Sequence, residues 1–478
     1  MPVKLRIPHV FILLTAITFL AALTTYFIPS GHYQRTVKDF GALQRTLVIP
    51  GTFEEVPKVY SLEGLVFPQE DTPGQSYPVS FLQFLSAIPR GMEEAADIIF
   101  FIFIIGGVFG ILRQTGVINA SLTLLLKYLS HSNILLTLVI MVVLAACGST
   151  LGMGEEFLPL IPLFLIISDK MGYDRIYGLS LVMLSADIGF AAATTNPFTL
   201  NIAQSIAELP LNSGIGFRLI FLTVCLSITI IYLLRYGKKV KNDPGASLVA
   251  DITHETDQDH MKPEAFKKSH LAIFITGVIL FFTLIYGVQE LGWWLPEMSG
   301  MFFLLGILAL IISRMPIHDA SKVFVRGMEE MVVAALVVGF ARGIQVVLTD
   351  GQVLDTLIHS AAGVLQEWPL FLAAEGMFIF QTSLNFLIPS GSGQAAVTMP
   401  LMTPLADVLG LSRQVAVFAF TCGDGFSNTI IPTSGILMAM LSLAGIPFTR
   451  WLRFMLPLFF ILSVIAAIFL AMAVLIGY

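Results

Sequence analysis

The chain has 478 residues, of which 56% are hydrophobic and only 12% are charged. Soluble domains carry about 25% charged residues, so this composition indicates a membrane protein. The net charge of −6 provides no basic surface for a polyanion, which excludes nucleic acid as the main partner. The three cysteines lie in apolar runs, and neither an HExxH nor a Walker sequence occurs, so we predict no metal centre, no cofactor and no enzyme.

The amino end predicts one membrane span followed by an exposed segment. Residues 1–28 combine Lys4 and Arg6 with roughly 20 apolar residues, the pattern of an uncleaved first span with a cytoplasmic basic flank. Residues 29–89 are polar, and alternating runs on both sides of Gly41 predict a small β-hairpin in an extracytoplasmic loop.

The rest of the chain contains an internal repeat. Arg90-Gly91-Met92-Glu93-Glu94 recurs letter for letter as Arg326-Gly327-Met328-Glu329-Glu330, and Asp187, Phe190 and Pro197 recur at nearly the same offset as Asp424, Phe426 and Pro432. These matches predict two copies, at 90–236 and 326–478. Between them we predict a solvated cytoplasmic linker at 237–269 and connecting scaffold spans at 270–325. Duplicated halves are typical of secondary transporters.

Apolar runs predict about nine transmembrane helices, two of them interrupted, and two re-entrant hairpins at about 133–168 and 369–408. This drawing places 18 of the 26 basic residues on the cytoplasmic side, as the positive-inside rule requires. The amino terminus is then inside, the carboxyl terminus is outside, and the two copies run in opposite directions. The predicted fold class is an all-α polytopic membrane protein built from an inverted repeat.

Each hairpin turns at a polar, glycine-rich centre, at 147–156 and at 388–394. Non-helical backbone survives at membrane depth only where it is buried or lines a wet cavity, so these turns mark a binding cavity. The helix after each turn starts with free N–H groups, and we expect each tip to bind a carboxylate. The candidate substrate-binding residues at the tips are Ser149, Thr150, Gly152, Gly154, Glu155, Glu156, Ser390, Gly391, Ser392, Gly393 and Gln394.

The interrupted spans break near prolines, in the segments 185–197 and 423–435. Proline frees carbonyl oxygens, which together with amides and hydroxyls suit a hard cation, and sodium or a proton is the candidate coupling ion. The candidate ion-coupling residues are Asp187, Thr194, Thr195, Asp424 and Ser427, and further candidates for substrate binding are Asn196, Asn428, Thr433 and Ser434. For any single break, polar residues that only join helices are an equally good explanation.

Four carboxylates lie at or beside these breaks: Glu155, Glu156, Asp187 and Asp424. A charged residue at the bilayer centre costs about 2.5–3.5 kcal/mol, so something must compensate these four. They are protonated, are paired with Arg342, or hold a cationic substrate group or a coupling ion. Arg342 is a candidate counter-charge for them, or alternatively a clamp for a substrate carboxylate.

At these motifs the chain resembles the YfcC family, which is grouped with the DcuC-type C4-dicarboxylate anaerobic carriers in the ion transporter superfamily. The most specific stretches are 152–156, 196–198, 388–394 and 423–428. The resemblance implies a homodimer in the bacterial cytoplasmic (inner) membrane, in which a core of hairpins and interrupted helices slides past a fixed scaffold, an elevator mechanism. The family also includes proteins regarded as basic amino-acid antiporters. Two glutamates at the first tip favour that branch, because they would repel a dicarboxylate.

The sequence therefore predicts a secondary active transporter for a small amino acid or carboxylate, with a basic amino-acid antiporter as the specific form. One alternative is a sodium- or proton-coupled C4-dicarboxylate carrier with Arg342 as the clamp. A second alternative is an ion channel with paired pore loops.

Overall fold

The computed structural model describes residues 10–40, 43–69, 72–129, 132–252 and 266–478. The predicted basic flank (Lys4 and Arg6), the turn residue Gly41 and positions 253–265 of the predicted linker lie outside these residues. Within them, seven helices are long and apolar enough to cross a membrane: Ala96–Gln114, Asn133–Leu151, Ile215–Asn242, Lys268–Glu290, Leu295–Ser313, Val332–Asp350 and Phe448–Ile476. Three further apolar helices, Val10–Thr24, Leu370–Leu384 and Gly435–Ala444, are shorter.

The first helix, α1 (Val10–Thr24), leads into a small β domain. Strand β1 (Ser30–His32) pairs antiparallel with β4 (Glu54–Val56), and β2 (Arg35–Phe40) pairs antiparallel with β3 (Leu43–Val48). The predicted hairpin on the two sides of Gly41 is therefore confirmed. These four strands depart from an all-α class, because alternating residues in a polar segment favour a strand over a helix.

The first copy has nine elements in the order α2 (Phe81–Glu94), α3 (Ala96–Gln114), α4 (Val117–Leu129), α5 (Asn133–Leu151), a 3₁₀ helix (Glu155–Leu160), α6 (Ile161–Met171), α7 (Arg175–Ala191), α8 (Leu200–Ile206) and α9 (Ile215–Asn242). The helices α10 (Lys268–Glu290) and α11 (Leu295–Ser313) connect it to the second copy.

The second copy has the order α12 (Ile317–Glu330), α13 (Val332–Asp350), α14 (Leu354–Gln366), α15 (Leu370–Leu384), α16 (Gly391–Leu409), α17 (Arg413–Ser427), α18 (Gly435–Ala444) and α19 (Phe448–Ile476). Corresponding helices have equal lengths at the start: 14 residues in α2 and α12, 19 in α3 and α13, and 13 in α4 and α14. The repeated Arg-Gly-Met-Glu-Glu sequence ends a helix in both copies, and these two helices begin at Phe81 and Ile317.

The repeated glycine of that sequence is a helix-packing position. A Cβ at Gly91 of α2 would lie 2.5 Å from the nitrogen of Gly343 and 2.6 Å from the oxygen of Gly339 on α13. A Cβ at Gly327 of α12 would overlap the Gly106 carbonyl of α3 in the same way. Each copy therefore sends its first helix against the second helix of the other copy, with glycines on both sides of the contact.

Two arginines at corresponding helix starts each contact the end of a helix in the other copy. Arg175, the first residue of α7, donates from Nη1 to the carbonyl of Ala444 at the end of α18 (2.7 Å). Arg413, the first residue of α17, donates from Nη1 to the carbonyl of Ala207 at the end of α8 (3.0 Å). Helix α7 thus begins where α18 ends, and α17 begins where α8 ends.

The segment predicted as the first hairpin begins and ends at neighbouring places in the structure. Asn133, the first residue of α5, donates from Nδ2 to the carbonyl of Met171, the last residue of α6 (3.0 Å). In the second predicted hairpin the arms α15 and α16 are joined near the tip, because Gln394 Nε2 donates to the carbonyl and the side-chain oxygen of Gln381 (2.9 and 2.7 Å).

Most residues at the start of the predicted linker are exposed, and a few of them contact the ends of the helices. Helix α9 extends through Asn242, and Val249 is buried. Arg450 of α19 donates to the carbonyl of Leu248 (2.7 Å) and pairs with Asp251 (2.9 Å). Apolar residues in this charged stretch, such as Val249, bury themselves against the ends of the helices.

Candidate functional site

A cavity of about 180 Å³ lies where the two hairpin tips meet the two interrupted spans. It brings together twelve of the predicted residues: Gly152, Gly154, Glu155, Glu156, Asp187, Arg342, Ser390, Gly391, Ser392, Asn428, Thr433 and Ser434. Apolar and aromatic side chains, including those of Phe190, Phe198 and Trp294, complete the wall. A small cavity with few polar groups on an apolar wall is typical of a site for a small molecule.

The first tip is acidic and its turn is closed by its own side chain. Helix α5 ends at Gly152, whose φ of +66° is the left-handed conformation that glycine adopts without strain. The Gly154 N–H donates to Glu156 Oε2 (2.8 Å), and Glu156 is buried. A 3₁₀ helix rather than an α-helix follows. The first tip therefore differs from our expectation, because the N–H group at its turn already has a carboxylate acceptor within the chain.

The second tip is the start of a regular α-helix. Ser390 is the N-cap of α16 and accepts from the Gly393 N–H (3.4 Å), and no charged residue lies in the first turn. The tip fits tightly against its neighbours: a Cβ at Gly391 would lie 2.5 Å from Thr199 Cγ2 and 2.8 Å from Asp424 Oδ2. The positive end of a 19-residue helix thus faces the cavity, which is a favourable place for an anion.

The predicted residues of the first interruption mostly join helices. Ser149 Oγ lies 3.0 Å from Thr194 Oγ1, and the Ser149 carbonyl accepts from the N–H groups of Thr194 and Thr195. Thr150 contributes its carbonyl as acceptor for Thr195 Oγ1 (3.2 Å). Asn196 is fully buried and its Oδ1 accepts from the Phe198 N–H (2.9 Å). Ser149, Thr150, Thr194 and Thr195 attach the first hairpin to the interrupted span. The Asn196 bond stays within that span, and none of the five residues lines the cavity.

In the second copy, Asn385 is the centre of the corresponding junction. Its Nδ2 donates to the Asp424 carbonyl, to Ser427 Oγ and to Asn428 Oδ1, each at 2.8 Å. Ser427, Gln394 and Gly393 lie outside the cavity wall, and of the residues at this junction only Asn428 reaches it. Asn385 connects the second hairpin to the second interruption.

The buried carboxylates have few partners. Asp424 is 1% exposed, and neither of its carboxylate oxygens has a hydrogen-bond partner among the described residues. The same holds for Asp187 Oδ2 and for the hydroxyls of Thr199 and Thr433. Oxygen atoms of this kind are the ligands that hard cations prefer. No group of three or more His, Cys, Asp or Glu side chains that could hold a metal ion occurs in the described part of the chain. A cation here would therefore need hydroxyl and carbonyl oxygens as well.

Arg342 was a candidate partner for the predicted carboxylates, but its described partners are Gln345 and Glu94. Its Nη1 donates to Gln345 Oε1 (2.6 Å), and its Nε lies 3.7 Å from Glu94 Oε2. Its side chain still lines the cavity. The described ion pairs contain no contact between Arg342 and the tip glutamates, so that form of compensation is not observed.

Several residues of the site were missed by the sequence analysis, among them Thr199 and Trp294, which line the cavity. Thr199 is the N-cap residue of α8 and occupies the place that Ser434 has before α18, so the repeat could have identified it. Trp294 contacts Phe198 edge to face, with ring centroids 4.4 Å apart. Gln289 of α10 donates from Nε2 to the carbonyls of Thr150 (2.7 Å) and Thr195 (3.3 Å). Trp294 and Gln289 lie between the two copies, so the repeat could not have identified them.

Long apolar helices, paired helix interruptions and a cavity between them with a few polar groups define the class of membrane transporters. The family model described as C4-dicarboxylate anaerobic carrier, DcuC, matches residues 7–475. The chain belongs to this family. The predicted resemblance is thus confirmed, and with it a transporter family rather than an enzyme family.

Among its relatives is a protein of Escherichia coli (strain K12) with the name "Putative basic amino acid antiporter YfcC", which is 31% identical over 98% of this chain and 97% of its own. An uncharacterized protein of Haemophilus influenzae is likewise 31% identical over 98% of this chain and 97% of its own. The crystal structure of the YdaH transporter of Alcanivorax borkumensis covers 98% of this chain and 99% of its own at 16% identity, with a TM-score of 0.48.

Proposed function

We propose that the protein is a secondary active transporter that moves a small amino acid, most specifically a basic one, across the bacterial cytoplasmic membrane in exchange for another solute. The observation that carries this proposal is that one cavity combines two kinds of polar group. It is lined by the amino terminus of α16, which favours an anion, and by Glu155 and Glu156, which favour a cation.

An amino acid carries a partner for each of these two kinds of group. Its α-carboxylate would bind at Ser390, Gly391 and Ser392, beside the start of α16, as anions do at helix N-termini. Its ammonium or guanidinium group would bind Glu155, the partly exposed glutamate, since Glu156 is buried and accepts from the first tip. The name of the Escherichia coli relative agrees with this substrate class.

We propose further that the two copies are inverted and that the core moves by an elevator mechanism within a homodimer. The exchanged contacts of Arg175 with α18 and of Arg413 with α8 support the inversion, because corresponding helices then start on opposite faces. The amino terminus would lie inside and the carboxyl terminus outside. Asp187 and Asp424, at corresponding positions, would bind the coupling ion, sodium or a proton, with help from the hydroxyls of Thr199 and Thr433.

Counterflow in proteoliposomes tests the proposal. Vesicles loaded with unlabelled arginine or ornithine should accelerate uptake of the labelled amino acid, whereas succinate-loaded vesicles should not. Glu155→Gln should weaken the apparent affinity for arginine by on the order of 100-fold, since it removes the charge partner of the cationic group. Glu329→Gln is the matched control, because Glu329 is exposed on α12 away from the cavity.

The second candidate function is C4-dicarboxylate transport, which is favoured by Arg342 in the cavity wall and by the family description. It requires succinate to exchange and Arg342→Gln to abolish that exchange. A channel, the third possibility, would carry current without acceleration by substrate on the opposite side.

A further inference from the structure

The segment that follows strand β4 exposes large apolar side chains. In residues 59–67, called the apolar loop below, the exposed fraction rises from 46% for Leu65 to 86% for Leu62, and the values for Tyr60, Val66 and Phe67 lie between. A short 3₁₀ helix, Glu63–Leu65, forms the middle of this loop. Exposed apolar side chains that cluster in this way mark a surface that contacts a partner or lipid.

The apolar loop continues an exposed apolar face of α1. The Tyr60 hydroxyl donates to the carbonyl of Tyr26 (3.1 Å), two residues after the end of α1. The neighbouring Phe27 is exposed, as are Leu20 and Leu23 on α1 itself. A predominantly apolar helix of a membrane protein turns such a face to lipid. The loop therefore lies where this face of α1 leaves the membrane.

Helix α2 joins the same surface. The Leu82 N–H donates to the carbonyl of Val66 in the loop (3.1 Å), and the side chains of Phe81, Leu82 and Leu85 are exposed. Hydrogen bonds thus connect the loop to the chain after α1 and to the start of α2. The exposed apolar residues of all three elements form one surface.

A groove of about 280 Å³ opens in this surface. Its wall contains tyrosine rings and leucine side chains, among them Tyr26, Tyr60, Tyr77, Leu62 and Leu65. The Tyr26 hydroxyl donates to the Val79 carbonyl and the Tyr77 hydroxyl to Gln75 Oε1, each at 3.1 Å. Because the tyrosine hydroxyls already have partners in the protein, the groove presents rings and aliphatic groups. These groups suit an acyl chain rather than a polar ligand.

The charge of the loop argues against a second copy of the chain as the occupant. Glu63 is the one charged residue in the sequence of the loop, and it is exposed. A two-fold axis would place the loop against itself and bury both carboxylates. The adjacent Lys58 already donates to the carbonyls of Thr25 and Ile28, so these carboxylates would be buried unpaired. At a membrane surface Glu63 can stay among the headgroups while its apolar neighbours enter the lipid.

We propose that the apolar loop anchors the β domain to the membrane surface. Leu62, Leu65 and Phe67 enter the lipid beside the end of α1, and the groove holds an acyl chain of a phospholipid. The tyrosine rings then lie at the level of the headgroups, where amphipathic aromatic side chains are favoured. This proposal is independent of the transported solute, because the loop is separate in sequence from every residue of the transport cavity.

Nitroxide labels in proteoliposomes test the anchor. Leu62→Cys and Phe67→Cys place the label on the loop, and Glu55→Cys on β4 is the matched control, because Glu55 is an exposed polar residue of the same domain. The native cysteines are buried or half-buried, and the protein without a new cysteine gives the labelling background.

The readout compares relaxation by oxygen, which concentrates in lipid, with relaxation by a water-soluble nickel chelate. At both loop positions the ratio of the oxygen effect to the nickel effect should exceed the ratio at Glu55 by about threefold or more. For the groove, bimane on Leu65→Cys should be quenched by phospholipids with brominated acyl chains, and bimane on Glu55→Cys should keep its fluorescence.

Two outcomes overturn the proposal. Nickel access at the loop equal to that at Glu55 would place the loop in water. Protection of the loop from both reagents would show that protein covers it, either a second copy or another chain. Should Phe67→Cys not fold, Leu62→Cys decides alone, since its side chain is the more exposed. Arginine counterflow is scored separately, because a loop in water leaves the proposed function in place and failed counterflow leaves the anchor in place.

Discussion

The first hairpin turns through Gly152 into a 3₁₀ helix with two glutamates, whereas the second turns through Ser390 into an α-helix with no charged residue in its first turn. Both turns face the same cavity. The first contributes two carboxyl groups, and the second contributes backbone N–H groups and hydroxyls. The comparison teaches that corresponding turns of two related segments can contribute unlike groups to one site when both the backbone after the turn and the side chains on it diverge.

The largest effect is expected from a substitution that disrupts the packing of the second tip. Gly391→Ala places a Cβ against Thr199 and Asp424, at 2.5 and 2.8 Å, so the tip can no longer seat against the first copy. Counterflow should fall by on the order of 100-fold, since overpacking a rigid contact costs about 1–3 kcal/mol or more. Gly393→Ala is the control, because its nearest neighbour would be Ser390 Oγ at 3.2 Å, and near-normal counterflow is expected. Equal loss in both variants would contradict the fit described here.

The second prediction separates the two glutamates of the first tip. Glu156→Gln loses the charge-assisted bond from the Gly154 N–H, so transport of every substrate should drop by about tenfold. Glu155→Gln should instead discriminate, with a large loss for arginine and a small loss for a neutral amino acid. Uptake of both labels by each variant measures this difference. Identical substrate profiles in the two variants would show that the glutamates share one role.

The third prediction compares the repeated glycines of the two copies. Gly91→Ala and Gly327→Ala should each destabilise the protein by about 1–3 kcal/mol, because their partners across the contact are backbone atoms of the neighbouring helix. Gly363→Ala in α14, which meets nothing within 4 Å, should be neutral or stabilising by about 0.5–1 kcal/mol. Melting temperatures in one detergent report all three. A tolerated alanine at Gly327 alone would mean that the copies pack differently.

The smallest effect concerns the β domain, which the second copy lacks. Lys58 Nζ donates to the carbonyls of Thr25 and Ile28 (2.6 Å to Ile28) just after α1, and burial lowers the pKa of Lys58 to about 8. The ordinary pKa near 10.5 applies to the unfolded chain, which therefore binds more protons between these values. Stability should rise as the pH increases from about 8 to 10.5 and should be lower below that window.

The Lys58 prediction is measured as a difference between proteins. The melting temperature of the wild type minus that of Lys58→Met should grow across the window, because the variant has no proton to lose there. A difference that shrinks with rising pH would contradict the lowered pKa of Lys58.

The turns of both hairpins were predictable because their glycines and serines are conspicuous within apolar runs. The helix starts at Phe81 and Ile317 were not, since the segments that follow these two residues share no letters before the repeated Arg-Gly-Met-Glu-Glu sequence. Thr199 was recoverable from the repeat, as the counterpart of Ser434. The bond between Gly154 and Glu156 was beyond reach, because it depends on the turn adopting a 3₁₀ rather than an α conformation.

Arg218 illustrates the limit of the positive-inside rule. A basic residue near the end of an apolar run predicts exposure at the membrane surface. In the structure its side chain is fully buried beside Thr421. The signal that could have revealed this was the alignment of α9 with α19, which places Arg218 opposite a tryptophan.

The amide of Gln289 belongs to α10, between the two copies, yet it bonds two carbonyls of the first break, those of Thr150 and Thr195. Arg175 and Arg413, by contrast, join elements that would travel together. If the core slides as proposed, the Gln289 bonds must be broken at each stroke. Gln289 would then help to set the lifetime of this conformation. A hydrophobic replacement would shorten that lifetime and leave the affinity for the solute unchanged.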